Sequence, residues 1–259
     1  MVLCLALCNN MIGQIVLTHP WQNLKVAFFG DSVTDPNNKA ARKHYWNWLE
    51  QWLGITPYVY AVSGREWNDI PNQTRQLSAQ HGDDVDAIVV FVGTNDFNAG
   101  VPIGRWYDET AADVEAALGK PKATVRRLKR TPSMDSSTYR GRINTALDLL
   151  KRTYPSKLIV LLTPLHRGYA TFGPDNIQPS EAYQNSCGEY VDAYVESVKQ
   201  AGNVWAVPVI DLNAVSGLNP MVNEQLIYFG DKTTDRLHPN DEGHRRLAQT
   251  LYWQLLTVR

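Results

Sequence analysis

The chain of 259 residues is 44% hydrophobic and 20% charged, enough to bury a full core, which excludes intrinsic disorder, collagen and a disulfide-stapled miniprotein. Its 25 Lys and Arg against 26 Asp and Glu give a formal charge of -1, so there is no global field to hold a polyanion and nucleic acid is not an expected partner. No apolar run approaches the ~18 residues that a membrane span requires, and Cys4, Cys8 and Cys187 lack the spacing of a zinc or redox cluster.

Residues 1–20 read as an apolar leader, a truncated signal segment that points to a secreted or periplasmic protein, with the cytoplasm as the alternative. Residues 21–259 read as one domain. Lys25 to Phe29, ending at Gly30, is a buried strand, and Ala40 to Leu53 is a helix. Tyr45, Trp48, Leu49, Trp52 and Leu53 recur there with helical spacing and mark its core face. Tyr58 to Val62, Ala87 to Val92, Leu158 to Leu162 and Trp205 to Ile210 are continuous apolar runs of the kind found in strands covered on both faces. Helical stretches separate most of them, which predicts an α/β fold with a central parallel sheet of about five strands. A long insert at about 97–137, holding Gly100, Pro102, Gly104, Pro121 and Pro132, reads as a lid or binding loop. A last helix starts at Pro239-Asn240-Asp241-Glu242 and runs to about Leu256.

In an open parallel sheet, ligands bind beyond the carboxyl ends of the strands. Four segments follow or face such ends: Gly30-Asp31-Ser32, Ser63-Gly64, Gly93-Thr94-Asn95-Asp96, and Asp235-Arg236-Leu237-His238. Together they hold a nucleophile, a base, a carboxylate and amide donors, the inventory of acyl transfer. A serine hydroxyl is a poor nucleophile until an imidazole takes its proton, and the imidazole needs a carboxylate to set its tautomer. Ser32, His238 and Asp235 suit those roles. The Ser32 and Gly64 backbone N–H groups and the Asn95 side-chain amide are the candidate oxyanion donors.

These four blocks, in this order, resemble those of the SGNH (GDSL-type) hydrolases over most of the chain. The resemblance implies a flavodoxin-like three-layer αβα sandwich and a metal-free serine esterase with no cofactor. It makes Ser32 the nucleophile, places Gly64 and Asn95 in the oxyanion hole, and has Asp235 orient His238 as base. The substrate expected from it is a small-molecule or glycan ester, foremost an acetyl ester on a carbohydrate. A lipase or thioesterase acting on lipid esters, and a catalytically inactive glycan-binding protein, are the alternatives. A nucleotide-binding module is disfavoured, because neither G-x-G-x-x-G nor G-x-x-x-x-G-K-[ST] occurs.

Other residues have weaker signatures. Trp67, three residues past Gly64, Trp106 in the insert and His166 after the fourth strand are candidate pocket-lining residues for substrate binding. Asp31 and Asp96 read as scaffold carboxylates rather than metal ligands. His244, beside Arg245 and Arg246, reads as an exposed helical histidine, and the basic run Lys120, Lys122, Arg126, Arg127, Lys129 and Arg130 as a solvated loop.

Overall fold

Strand β1 (Lys25–Gly30) is buried from Val26 onward. The computed structural model describes residues 18–117, 119 and 121–258, so nearly all of the expected leader, and Lys120 of the basic run, lie outside the described residues. After β1 come α1 (Tyr45–Leu53), β2 (Thr56–Val59), α2 (Ile70–His81), β3 (Ala87–Phe91), α3 (Thr94–Asn98), β4 (Tyr107–Ala116), β5 (Ala123–Pro132), α4 (Tyr139–Thr153) and β6 (Leu158–Leu162). The chain continues through β7 (Ala170–Thr171), β8 (Ile177–Gln178), α5 (Val191–Trp205), β9 (Val209–Ile210), α6 (Leu212–Val215), β10 (Phe229–Asp231), β11 (Asp235–Pro239) and α7 (Asp241–Gln254).

The central sheet has the order β2-β1-β3-β6-β9, and every pairing in it is parallel. Parallel neighbours need crossover connections, and helices cover both faces as a result. Ala27, Phe29, Ile88 and Val90 point to the face packed by α2, α4 and α5, while Val26, Phe28, Val89 and Phe91 point to the face packed by α1 and α7. The three-layer αβα sandwich follows from that alternation, and the strand order is the flavodoxin-like one, with its switch point between β1 and β3. No helix among the described residues is long and apolar enough to cross a membrane.

Four expected elements differ from those observed. The helix expected from Ala40 starts at Tyr45, because the Arg42 and Lys43 N–H groups donate to Asp241 Oδ1 (2.6 and 3.1 Å) and Ala40 N–H donates to Asn38 Oδ1, which fixes the segment as a loop. The second strand lies at Thr56–Val59, ahead of the expected 58–62. The run from Trp205 closes α5, and only Val209–Ile210 pairs with the sheet. The insert is not an irregular loop. It holds the end of α3 and a ribbon in which β4 and β5 pair antiparallel over ten residues each. Glu109–Arg130 (2.7 Å) and Asp113–Arg126 (3.4 Å) bridge its strands, so part of the basic run is neutralised by the facing strand.

A second sheet, antiparallel and ordered β10-β11-β7-β8, is assembled from very short strands. Strand β11 carries Asp235 and His238 to the carboxyl end of β1.

Candidate active site

Ser32 lies just beyond β1, in a turn where the Thr34 and Asp35 N–H groups donate to the Asp31 carbonyl (3.1 and 2.9 Å). Gly30 closes the strand because a Cβ there would run into the Phe91 carbonyl of neighbouring β3. The nucleophile candidate therefore leaves the sheet at a point where only glycine lets two strands approach.

His238 Nε2 lies 2.8 Å from Ser32 Oγ, and its Nδ1 lies 3.0 and 3.1 Å from the two carboxylate oxygens of Asp235. With the proton on Nδ1, the ring donates to Asp235 and accepts from the Ser32 hydroxyl, so one tautomer satisfies every contact. Asp235 Oδ1 also accepts the backbone N–H groups of Leu237 and His238 (3.2 and 3.0 Å). These bonds wrap β11 around the carboxylate and explain why acid and base sit three residues apart. Ser32 and His238 are almost wholly buried, each 7% exposed, which strengthens the electrostatics between them.

Ser63 and Gly64 follow β2. Gly64 holds a φ of 79°, in the left-handed region that strains any residue with a Cβ. The backbone N–H groups of Ser32 and Gly64 have no hydrogen-bond partner among the described residues, and both residues line the same cleft. Asn95, on α3, joins them there; its side-chain amide gives one proton to the Arg65 carbonyl (2.9 Å) and keeps the other for the cleft. All three residues border the cleft beside Ser32, as candidate oxyanion donors must.

The carboxylates around this centre are structural. Asp96 is fully buried and accepts the Trp67 N–H (3.0 Å) and Arg142 Nη1 (2.9 Å), and Arg142 also holds Glu66 (2.5 Å). Burial pushes the Asp96 carboxyl up to about 7 despite the arginine. Asp31 accepts the Val33 N–H (3.1 Å), and burial raises it to about 6 against the pull of that bond, His238 and Arg167. Among the described residues no cluster of three or more His, Cys, Asp or Glu converges as a metal site.

The cleft beside Ser32 has a volume of about 550 Å³. Its walls carry Asn38, Lys39, Asn95, Asn176, Gln178, Asp231 and Thr234, with Ala40, Phe172 and Leu237 as apolar facets. The Phe172 ring lies 5.3 Å from the His238 ring. The strap from Thr171 to Gln178, which forms one wall, has no sequence signal because its strands are two residues long.

The three pocket-lining candidates fall elsewhere. Trp67 is fully buried in the core beneath α4, and its Nε1–H donates to Tyr139 Oη (3.1 Å). Trp106 donates to Gln200 on α5 (2.9 Å) and stacks under Arg140. His166 pairs with Glu181 (2.7 Å), which raises its pKa, and it borders a small void behind the Ser32 turn. Large aromatic area favoured packing against the core, which buries Trp67 fully and Trp106 in part, with the polar edge of each satisfied by a neighbour. His244 is likewise buried rather than exposed: its Nδ1 accepts the Tyr45 N–H (3.2 Å), and its ring lies 4.8 Å from that of His44.

Solved structures share the fold. A protein of Lactobacillus plantarum superimposes with a TM-score of 0.68 at 23% identity, covering 90% of this chain and 97% of that one. A structure described as a possible lipase from Chitinophaga pinensis gives 0.65 at 20% identity, covering 89% and 97%. A lipase/acylhydrolase from Enterococcus faecalis gives 0.52 at 15%, covering 90% and 95%. At these identities the likeness concerns the fold alone. Among curated proteins none matches significantly. The GDSL-like lipase/acylhydrolase family matches residues 28–246, from the strand before Ser32 to the helix after His238. The chain belongs to that family and is a carboxylic ester hydrolase.

Proposed function

We propose that the enzyme hydrolyses short acyl esters of carbohydrates, foremost acetyl esters, through an acyl-Ser32 intermediate. The observation that carries this reading is the wall of the cleft. Amide, hydroxyl and charged side chains supply most of its lining residues, and their carbon together with Ala40, Phe172 and Leu237 gives it roughly even shares of polar and apolar surface. A hydrated sugar alcohol finds hydrogen-bond partners in such a cleft, whereas a long acyl chain would be left against polar groups that it dehydrates without compensation.

In this mechanism Ser32 Oγ attacks the ester carbonyl while His238 Nε2 takes its proton, and Asp235 stabilises the imidazolium that forms. Charge gathers on the carbonyl oxygen, where the Ser32 and Gly64 N–H groups and the Asn95 amide donate to it. The alcohol departs with the proton from His238. Water then attacks the acyl-serine, again deprotonated by His238, and releases the acid and the free enzyme.

The test is turnover of p-nitrophenyl acetate, butyrate and octanoate by wild type, Ser32→Ala and His238→Ala, with acetate release from acetylated polysaccharide measured in parallel. The expected result is activity confined to the short chains, acetate release from the polymer, and loss of both in either variant. A preference for octanoate would overturn the acetyl reading in favour of lipid esters, and full activity in His238→Ala would overturn the base.

A further inference from the structure

Arg167 is the one arginine among the described residues with no solvent exposure, and it stands where three parts of the site meet. Its Nη1 donates to the carbonyl and hydroxyl oxygens of Thr94 (2.9 and 3.1 Å), the residue immediately before Asn95. Its Nη2 donates to Gln178 Oε1 (2.9 Å), and Gln178 Nε2 passes a further bond to Asn176 Oδ1 (3.0 Å); both of these residues wall the cleft. Its own backbone is clamped by Glu181, which accepts the Arg167 N–H (2.8 Å) and donates its N–H to the Arg167 carbonyl (3.1 Å). The next residue, Gly168, donates to the Arg236 carbonyl (2.9 Å) in the strand that carries Asp235 and His238.

A buried guanidinium is costly to dehydrate, and replacing it with packed hydrocarbon is often no loss to stability. This one keeps its Nε unpartnered, so it is not optimised as a structural ion pair. What it does have is a rigid planar fork, matched to acceptors on two different elements at once. A lysine ammonium, a single point of donation, cannot hold both in that geometry. The Phe97 ring, 5.0 Å from the guanidinium carbon, holds the fork on the side facing α3.

We propose that Arg167 is a positioning residue that sets the Asn95 amide against the cleft wall. One end of the fork fixes the start of α3 and so the direction of Asn95, while the other fixes Gln178 and the strap opposite. The distance between oxyanion donor and substrate wall is then set by one side chain that never touches the substrate. This rests on the oxyanion role assigned to Asn95 above. It further makes the 171–178 strap a determinant of transition-state binding as well as of substrate fit.

The experiment is a double-mutant cycle on p-nitrophenyl acetate with Arg167→Lys, Asn95→Ala and the pair, all confirmed folded by thermal melts. Arg167→Lys is expected to lower kcat roughly tenfold, the scale of a sub-ångström misplacement of a transition-state group, with KM nearly unchanged. In the Asn95→Ala background the same substitution should have little further effect, because it acts through the group already removed. Affinity for a boronic acid that forms a tetrahedral adduct with Ser32 should fall in parallel with kcat. If Asn95→Ala lowers kcat but the two effects multiply independently, or if Arg167→Lys leaves kcat intact, the positioning role is overturned. If Asn95→Ala itself leaves kcat intact, it is the oxyanion reading that fails instead. Should Arg167→Lys not fold, Thr94→Val, which removes the hydroxyl acceptor of the fork and does not line the cleft, takes its place in the cycle with the same outcomes.

Discussion

Asp35 Oδ2 accepts two hydrogen bonds from Ser63, one from its backbone N–H at 2.8 Å and one from its hydroxyl at 2.6 Å. The carboxylate thereby ties the turn that bears Ser32 to the turn that bears Gly64, across a gap of 28 residues in sequence. Burial pushes Asp35 up, but the bonds from Ser63 and Asn37 outweigh it and hold the carboxyl below its ordinary value. Asp35→Ala is expected to cost about 2–3 kcal/mol of stability, the scale of hydrogen bonds to a charged group, and to lower kcat on p-nitrophenyl acetate by loosening the Gly64 N–H. The sign with pH follows from the lowered value. The contribution of Asp35 is complete above the unfolded carboxylate value of about 3.9 and is lost as pH falls through the folded one. The difference between urea melts of wild type and variant should therefore be smaller at pH 3 than at pH 7.

Trp67→Phe separates packing from substrate contact. The substitution removes the indole N–H that satisfies Tyr139 Oη and leaves a fully buried hydroxyl without that partner, a loss of about 1–3 kcal/mol. Thermal melts should show the destabilisation, while KM for acetyl esters stays at its wild-type value. A raised KM with unaltered stability would put the indole back in contact with substrate.

The β4–β5 ribbon shares no residue with the cleft beside Ser32. Joining residues 107 and 132 through a short Gly-Ser turn should leave turnover of neutral acetyl esters within about twofold of wild type, as expected of a surface element remote from the reacting atoms. Kinetics of the shortened enzyme on p-nitrophenyl acetate check this, and a large fall in kcat would assign the ribbon a part in catalysis.

His44 and His244 enter the folded state neutral. Burial lowers both: His44 against the pull of Asp35 and Asp241, and His244 well below the ordinary histidine value, with repulsion from His44 and His238 that Asp241 only partly offsets. In the unfolded chain they take up protons near pH 6.5, so the stability they lend at neutral pH is lost as pH falls below that point. Asp31 acts in the opposite sense. Its folded value of about 6 favours the folded state most at low pH, and that preference fades as pH rises through 6. His244→Asn keeps an acceptor for the Tyr45 N–H and removes the titration. Its melting temperature should fall less steeply than that of wild type between pH 7 and pH 5.

The parallel sheet was legible because β1, β3 and β6 are buried on both faces, and continuous apolar runs such as Ala87–Phe91 have no other common explanation. The site was legible through four short blocks whose residue types serve one chemistry, and the fold brings Ser32, Gly64, Asn95, Asp235 and His238 around one cleft. The ribbon escaped detection because both of its faces meet solvent: Leu128, 71% exposed, stands amid charges, and no apolar period marks the strands. The second sheet escaped because strands of two to five residues are too short to show a pattern. Trp67 and Trp106 misled for another reason. Their neighbourhood in sequence is that of the site, but nearness along the chain says nothing of which way an indole turns, and the core claimed both. Arg167 gave no signal at all, since a lone arginine after a strand looks the same whether it faces water or Thr94.

Asp235 and His238 belong to the same strand and share a closed set of hydrogen bonds, so the contact between them is insensitive to most movements of the molecule. The contact from His238 to Ser32 is different in kind, because it crosses from the antiparallel sheet to the parallel one and spans 206 residues. A slip of a fraction of an ångström between the two sheets would silence the serine while every strand and helix kept its form. Heat, denaturant or a mutation at the sheet junction should extinguish turnover earlier than it unravels the chain.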